Sequence, residues 1–326
     1  MPTKTKEASQ NRGRIDWQNE SLRKRFYEPA VVAWADIRTR IGLILLAIYL
    51  SMAAVAVLGL WHAPDVGQGP RLLTAFQNWQ YPLGTTKSGT GVLALIIEST
   101  PFILQMVFAG GVWATFMAVA IATLAGYKGG TIDRVLMTIS DFVMAIPGLP
   151  LVIIIAVAVN PESPLVTGVI LTINYWGGVA RSLRSQVLSI RENEYVEASR
   201  AMGVGTFRVI QKDILPNIMP YVLIQFVYAA RYTIFASIGL YFLGVLPYSG
   251  QNWGVTLNYA YHSGALFTLG AAHWLLAPMA AIIGLTLALT LFSQGLDRVF
   301  NPRVQTRLTG KSETKSLEEE KATKSD

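Results

Sequence analysis

The chain has 326 residues, 52% of them hydrophobic and 14% charged, with a net charge of +7 and a mean hydropathy of +0.39. A soluble domain carries about 25% charged residues, so this balance excludes an ordinary soluble fold and implies a polytopic membrane protein. The absence of cysteine excludes disulfides, thiolate metal sites and cysteine nucleophiles.

In chain order, residues 1–40 form a polar, basic segment. Six apolar stretches follow, each near the ~20 residues that a helix needs to cross the hydrocarbon core. They are 41–61, 100–126, 135–159, 165–185, 217–244 and 274–296, and they predict an all-α protein with a membrane domain over 41–296. The first lies too far into the chain, and is too long, for the apolar core of a cleaved leader. The third carries Asp141 and the fifth Arg231. The fourth is apolar only to Ala180, so its helix is expected to run on into polar sequence, with Arg181 and Arg184 at the membrane surface. A polar segment, 191–216, separates the fourth stretch from the fifth. Residues 297–326 are poor in apolar side chains and mixed in charge, which predicts disorder.

Lys and Arg set the orientation. Of the 27 in the chain, 24 fall in 1–40, 127–134, 181–216 and 297–326, which alternate onto one side. The other side holds Arg71 and Lys87. This predicts a multi-pass protein of the cell membrane, in contact with lipid, with both termini and the polar segment in the cytoplasm. It also assigns the positive charge to membrane topology, with no nucleic acid partner.

Catalytic signatures are missing. His62, His262 and His273 are too scattered for a metal site. Gly310-Lys311-Ser312 resembles the end of a phosphate-binding loop, but Gln305 stands where that loop needs glycine. There is no paired-histidine zinc helix and no nucleophile elbow. The chain is therefore expected not to be an enzyme, and energy for uphill movement must come from an ion gradient or a partner. With Arg181 and Arg184 at the membrane surface, Asp141 and Arg231 are the charges left inside the spans and so are the candidates for a pathway or gate. On that footing one reading is a stand-alone ion-coupled carrier or channel.

The polar segment reads as two short helices around a turn. Asn193 is placed to cap the first, which runs to Met202. Gly203 sits where a left-handed residue ends a helix, and Gly205 keeps the turn open. Thr206 is placed to cap the second helix, which holds Phe207, Val209, Ile210 and Ile214, and Pro216 and Pro220 mark a break before the fifth span. Ala201, Met202, Val204 and Phe207 are expected as exposed apolar residues at the tip. Such a helix, braced by spans on both sides, can pass force from a cytosolic partner; an ordinary loop packed on its own bundle has the same pattern.

This segment resembles the EAA motif of importer permeases in the ATP-binding cassette superfamily. That motif is Glu-Ala-Ala, three residues, Gly, then Leu-Pro; here Glu197-Ala198-Ser199 precedes Gly203, with Leu215-Pro216 at the family spacing. Ser199 replaces the second alanine, and Asp213 stands where the motif has isoleucine. "GYKGGTIDRVLMTISDFVMAIPGLP" (126–150), "YPLGTTKSG" (81–89), "FLGVLPYSGQNWG" (242–254) and "QGLDRVFNPR" (294–303) resemble stretches of the peptide-type branch in the same order. The resemblance covers roughly 30–303 and is to the C-type subunit of a dipeptide/oligopeptide permease pair.

The resemblance implies a type I importer permease fold of six transmembrane helices with a cytoplasmic coupling helix, forming half of a pore. It implies a second homologous permease, two cytosolic ATPases that bind ATP and Mg, and an external solute-binding protein. The residues it assigns to the ATPase contact are Glu197, Ala198, Ala201, Met202, Gly203, Val204, Gly205, Thr206, Phe207, Leu215 and Pro216. Peptides are the solute expected, with oligosaccharides or nickel as alternatives in this branch. Thr86, Thr90, Gly91, Thr138 and Phe235 replace charged residues of the branch. Residues 245–272 carry no full charge but many aromatic and amide groups, which suit a neutral sugar or a binding-protein interface.

Overall fold

The computed structural model describes residues 36–60, 67, 69–246 and 251–300. The phosphate-loop-like Gly310-Lys311-Ser312, Tyr248, and most of the two terminal segments lie outside these residues. Among the described residues there is no strand, only an isolated bridge between Thr85 and Gly91.

The elements are α1 (Ile37–Val57), α2 (Val92–Lys128), α3 (Gly130–Ala145), α4 (Gly148–Val159), α5 (Pro164–Leu171) and α6 (Trp176–Arg191). Then come α7 (Glu194–Ala201), α8 (Thr206–Val209), a π-turn (Ile210–Ile214), α9 (Leu215–Phe242), α10 (Trp253–His262) and α11 (Ala272–Phe300). Among the described residues four helices are long and apolar enough to cross a membrane: Ile37–Val57, Val92–Lys128, Thr206–Phe242 and Ala272–Asp297. The pair α3 and α4 makes a fifth if it is taken as one span. In a bilayer such helices satisfy every backbone group internally.

Two expected spans differ from a single rod. The stretch 135–159 bends by 82° between α3 and α4, because Pro147 lacks an N–H and Ile146 before it is extended at ψ 125°. The stretch 165–185 is α5, a turn and the start of α6, and the turn is held by Tyr175 N–H donating to Thr172 O at 3.0 Å.

Contacts divide the chain into two units, 1–44 with 291–326, and 45–290. In the first, α1 and α11 approach through glycine: a Cβ on Gly42 would come within 2.8 Å of Leu291 Cβ, and one on Gly295 within 2.5 Å of Thr39 Oγ1.

The second unit is built around α2. Its 37 residues span about 56 Å at 1.5 Å per residue, more than the hydrocarbon core. Its buried face is a seam of small residues, including Gly110, Ala114, Ala118, Ala122 and Gly126, which lets neighbouring backbones come close. A Cβ on Gly168 of α5 would lie 2.2 Å from Met106 O. At that crossing Thr172 Oγ1 donates to Gly110 O at 3.1 Å. Pro101 interrupts the ladder of α2; one turn earlier, Ile96 O accepts both Thr100 Oγ1 at 2.7 Å and Trp253 Nε1 at 3.1 Å.

Helices α3 and α6 run antiparallel. Asp133 pairs with Arg184 and Asp141 with Arg181. Between them a Cβ on Gly177 would meet Ser140 O at 3.0 Å. Asn174 Nδ2 reaches Ile146 O at 3.5 Å at the far end.

Candidate functional site

The segment 194–214 folds as an elbow against the end of the bundle where α2 closes and α3 begins. Asn193 occupies the N-cap of α7 in extended geometry at ψ 142°, but its side chain makes no capping bond. The acidic first turn, Glu194 and Glu197, complements the helix dipole. Met202 is the C-cap, and Gly203 follows with φ 75°, the left-handed geometry that its position predicts. Val204 N–H then donates back to Ser199 O at 3.1 Å, closing the turn.

Gly205 takes the N-cap of α8 and no side chain caps it, so Thr206 is the first helical residue and does not serve as the cap. The expected break at Pro216 and Pro220 is absent. Residues 206–242 form one helix that carries a single π-turn. Leu215 N–H bonds to Ile210 O, five residues back. Pro216 follows directly on the π-turn, at the second residue of α9. Asp213 falls in the π-turn, and its carbonyl accepts Asn217 Nδ2 at 2.6 Å.

The elbow has two faces. Val196, Val209 and Ile214 are fully buried, in one cluster with Tyr127 of α2, Trp176, Leu183 and Val187 of α6, and Ile218 of α9. Met202 and Phe207 point away, 74% and 77% exposed. Glu197, Ala198, Ala201 and Gly205 are exposed with them, whereas Thr206 and Leu215 are half-buried and Pro216 is exposed. Val204, expected at the exposed tip, is turned inward and packs on the cluster, because the tight turn at Gly203 folds it back. Two arginines tie the elbow down. Arg191 Nη1 donates to Gly126 O at 3.0 Å, and the Arg200 guanidinium lies 5.3 Å from the centroid of the Tyr127 ring. Tyr127 and the buried Val196–Val209–Ile214 set escaped sequence reasoning; the apolar spacing of Ile214, Ile218 and Val222 was the available signal.

The two charges inside expected spans differ. Asp141 is ion-paired with Arg181, both 52% exposed. Arg231 of α9 is half-buried and its Nε has no hydrogen-bond partner among the described residues. The rings of Tyr175 and Tyr232 lie 4.7 Å apart. The structure does not bring Asp141 and Arg231 together. Among the described residues no cluster of His, Asp and Glu could hold a metal ion.

Residues 118–306, which include α3 to α10 and the whole elbow, match the family described as binding-protein-dependent transport system inner membrane component. The chain belongs to this family. Among curated relatives, it is similar to the dipeptide transport system permease protein of Bacillus subtilis, 34% identical over 221 residues, which are 66% of this chain and 61% of that protein. It is also similar to the oligopeptide transport system permease protein of the same organism, 33% identical over 147 residues, 45% of this chain and 48% of the relative. The chain thus matches about half to three fifths of the length of these two relatives. A binding-protein-dependent inner membrane component is a transport subunit, and its family implies a transport complex with other subunits.

Proposed function

We propose that this chain forms half of the pore of an ATP-driven importer for peptides. The other parts are a second homologous permease, two cytosolic ATPases that hold ATP and Mg, and an external solute-binding protein. The observation that carries the reading is the two-faced elbow within the matched region. Its back is anchored in the bundle, while Met202 and Phe207 stand out at its apex. Large apolar side chains on a water-facing turn are the chemistry of a protein contact. Glu197, Gly203 and Leu215-Pro216 shape the elbow, and the names of the relatives support peptides as the solute.

In this reading the elbow lies in the cytoplasm with both termini, and α5 with α6 supplies the sixth passage. Closure of the ATPase pair pushes on Met202 and Phe207. The buried cluster and the continuous helix 206–242 carry the displacement into the membrane as one body. Asp141 and Arg181, with Asp133 and Arg184, hold α3 to α6 during this movement and do not carry ions. Arg231 lies on the pathway, next to the face of α9 that exposes Tyr221, Tyr228 and Phe235 at seven-residue intervals.

The deciding experiment is purification of the membrane complex from cells expressing all the subunits. The ATPases are expected to co-purify with the wild-type chain and to be lost from the double variant Met202→Asp, Phe207→Asp. Retention of the ATPases by that variant, or import by the chain reconstituted alone, overturns the proposal.

A further inference from the structure

Arg231 stands at the centre of the apolar stretch 217–244, about 20 Å of helix from either end at 1.5 Å per residue. No other Lys, Arg, Asp or Glu falls between Asp213 and Asp297. The side chain is half-buried, and only its Nε is both enclosed and without a partner, which leaves the terminal nitrogens at the surface of α9. The acids of the neighbouring helices are engaged elsewhere. On α2 to α6, α9 and α10 they are Glu98, Asp133 and Asp141. Glu98 accepts from Gln251 at the start of α2, and Asp133 and Asp141 pair with Arg184 and Arg181. Among the described residues no acid forms an ion pair with Arg231.

An arginine keeps its charge at any pH a cell meets. A charge held in mid-membrane is costly and faces the bundle interior or a watered cavity rather than lipid. Long side chains escape that cost near helix ends by reaching the headgroups, but both ends are too distant here. The polar pattern of α9 shows where the charge goes. Tyr221, Gln225, Tyr228 and Tyr232 recur along one side at steps of three and four residues, each at least partly exposed. Gln225 Nε2 meets Ser182 Oγ of α6 at 3.5 Å. The far side, with Val227, Ala230 and Ile234, is apolar and buried. Arg231 lies on the border between the two, with Nε against the packed side and its tip toward the polar one. A row of hydroxyls and an amide has no use against lipid tails; it suits a watered passage.

We infer that Arg231 is the barrier of this pore to cations. A fixed positive charge beside a narrow passage repels like charges through a medium that screens poorly, and arginines can exclude protons and cations from pores in this way. The tip of Arg231 therefore holds back protons, sodium and potassium, which the membrane potential would otherwise drive through the passage each time it opens. Solutes without net positive charge are not opposed. The inference rests on the reading of this chain as half of a pore, and it adds what that pore refuses.

The test is ion leak through the full complex, ATPases included, in proteoliposomes during ATP-driven turnover with the solute-binding protein present. Vesicles loaded with potassium and treated with valinomycin acquire a negative interior, and entrapped dyes read the entry of protons and of sodium; chloride flux is read separately. The wild-type complex is expected to be tight. Arg231→Gln and Arg231→Met are each expected to raise proton and sodium entry at least about tenfold with chloride flux unchanged, and either variant suffices if the other does not assemble. Arg231→Lys, which keeps the charge, is expected to stay tight. Loss of packing alone would let chloride and cations through together and would not be repaired by charge. Neutral variants as tight as the wild type, equal rises in cation and chloride flux, or a leak through Arg231→Lys as large as through Arg231→Gln overturns the inference. Import by the wild-type complex, measured in parallel, separates the two claims. Import that needs the ATPases, with tight neutral variants, removes the barrier alone. A charge-dependent cation leak in a complex that never imports supports the barrier and counts against the importer reading.

Discussion

The two ends of the 45–290 unit use polar and apolar groups in opposite ways. At the elbow every fully buried side chain is apolar, and two large apolar side chains are turned outward. At the other end of α2 polar side chains are buried, among them Thr86, Ser99, Asn252 and Thr256, and Asn252 Nδ2 has no partner among the described residues. A turn that buries only apolar side chains and still shows two large ones suits the protein contact proposed for it. Both ends hang on α2, whose small-residue seam spans the distance between them.

The sharpest way to break this contrast is to separate the two faces of the elbow. Ile214 is fully buried, so Ile214→Ala is expected to cost about 2–5 kcal/mol, read as a lower thermal midpoint of the purified complex. Phe207→Asp, on the exposed face, is expected to leave that midpoint unchanged and to weaken retention of the ATPases at least about tenfold. If both variants act alike, the elbow does not have two faces.

Gly203→Val comes next. The glycine has φ 75°, and a Cβ placed there would have nothing within 4 Å, so the penalty is backbone strain alone, about 1–2 kcal/mol. Import and solute-stimulated ATP hydrolysis are expected to fall while the assembly stays intact, because the turn that sets the angle between α7 and α8 is altered. At the other end, Trp253→Phe removes a donor to Ile96 O, which keeps Thr100 Oγ1. A loss of about 1 kcal/mol is expected in the same melting assay. The smallest effect belongs to Asp141→Asn. The pair with Arg181 is half exposed, and under about 1 kcal/mol is expected. A loss of import beyond that would make Asp141 part of the pathway after all.

Hydropathy located the long helices because a bilayer demands uninterrupted apolar runs of a fixed length. It was blind to the bend at Ile146-Pro147, since the two halves of 135–159 together are apolar enough to pass as one span; the Pro-Gly pair was the readable signal. Gly203 was legible as a left-handed residue because glycine at that spacing has few other uses. Val204 was not, because its direction depends on how the turn closes against the buried cluster. The burial of Asn252 and Trp274 without partners for Nδ2 and Nε1 is a tertiary outcome that no local pattern foretells. The partner of Asp141 likewise depended on α3 and α6 meeting antiparallel.

The π-turn at Ile210–Ile214 has a consequence for direction. An α-helix advances about 100° per residue, and a π-turn inserts one residue into an otherwise α-helical rod. The elbow is therefore phased by about 100° relative to α9, compared with where an unbroken α-helix would aim it. Converting that turn to α geometry would swing Phe207 a quarter-turn around the rod while every hydrogen bond above Leu215 stayed in place. One extra residue thus sets the compass bearing of the apex independently of the helix that supports it.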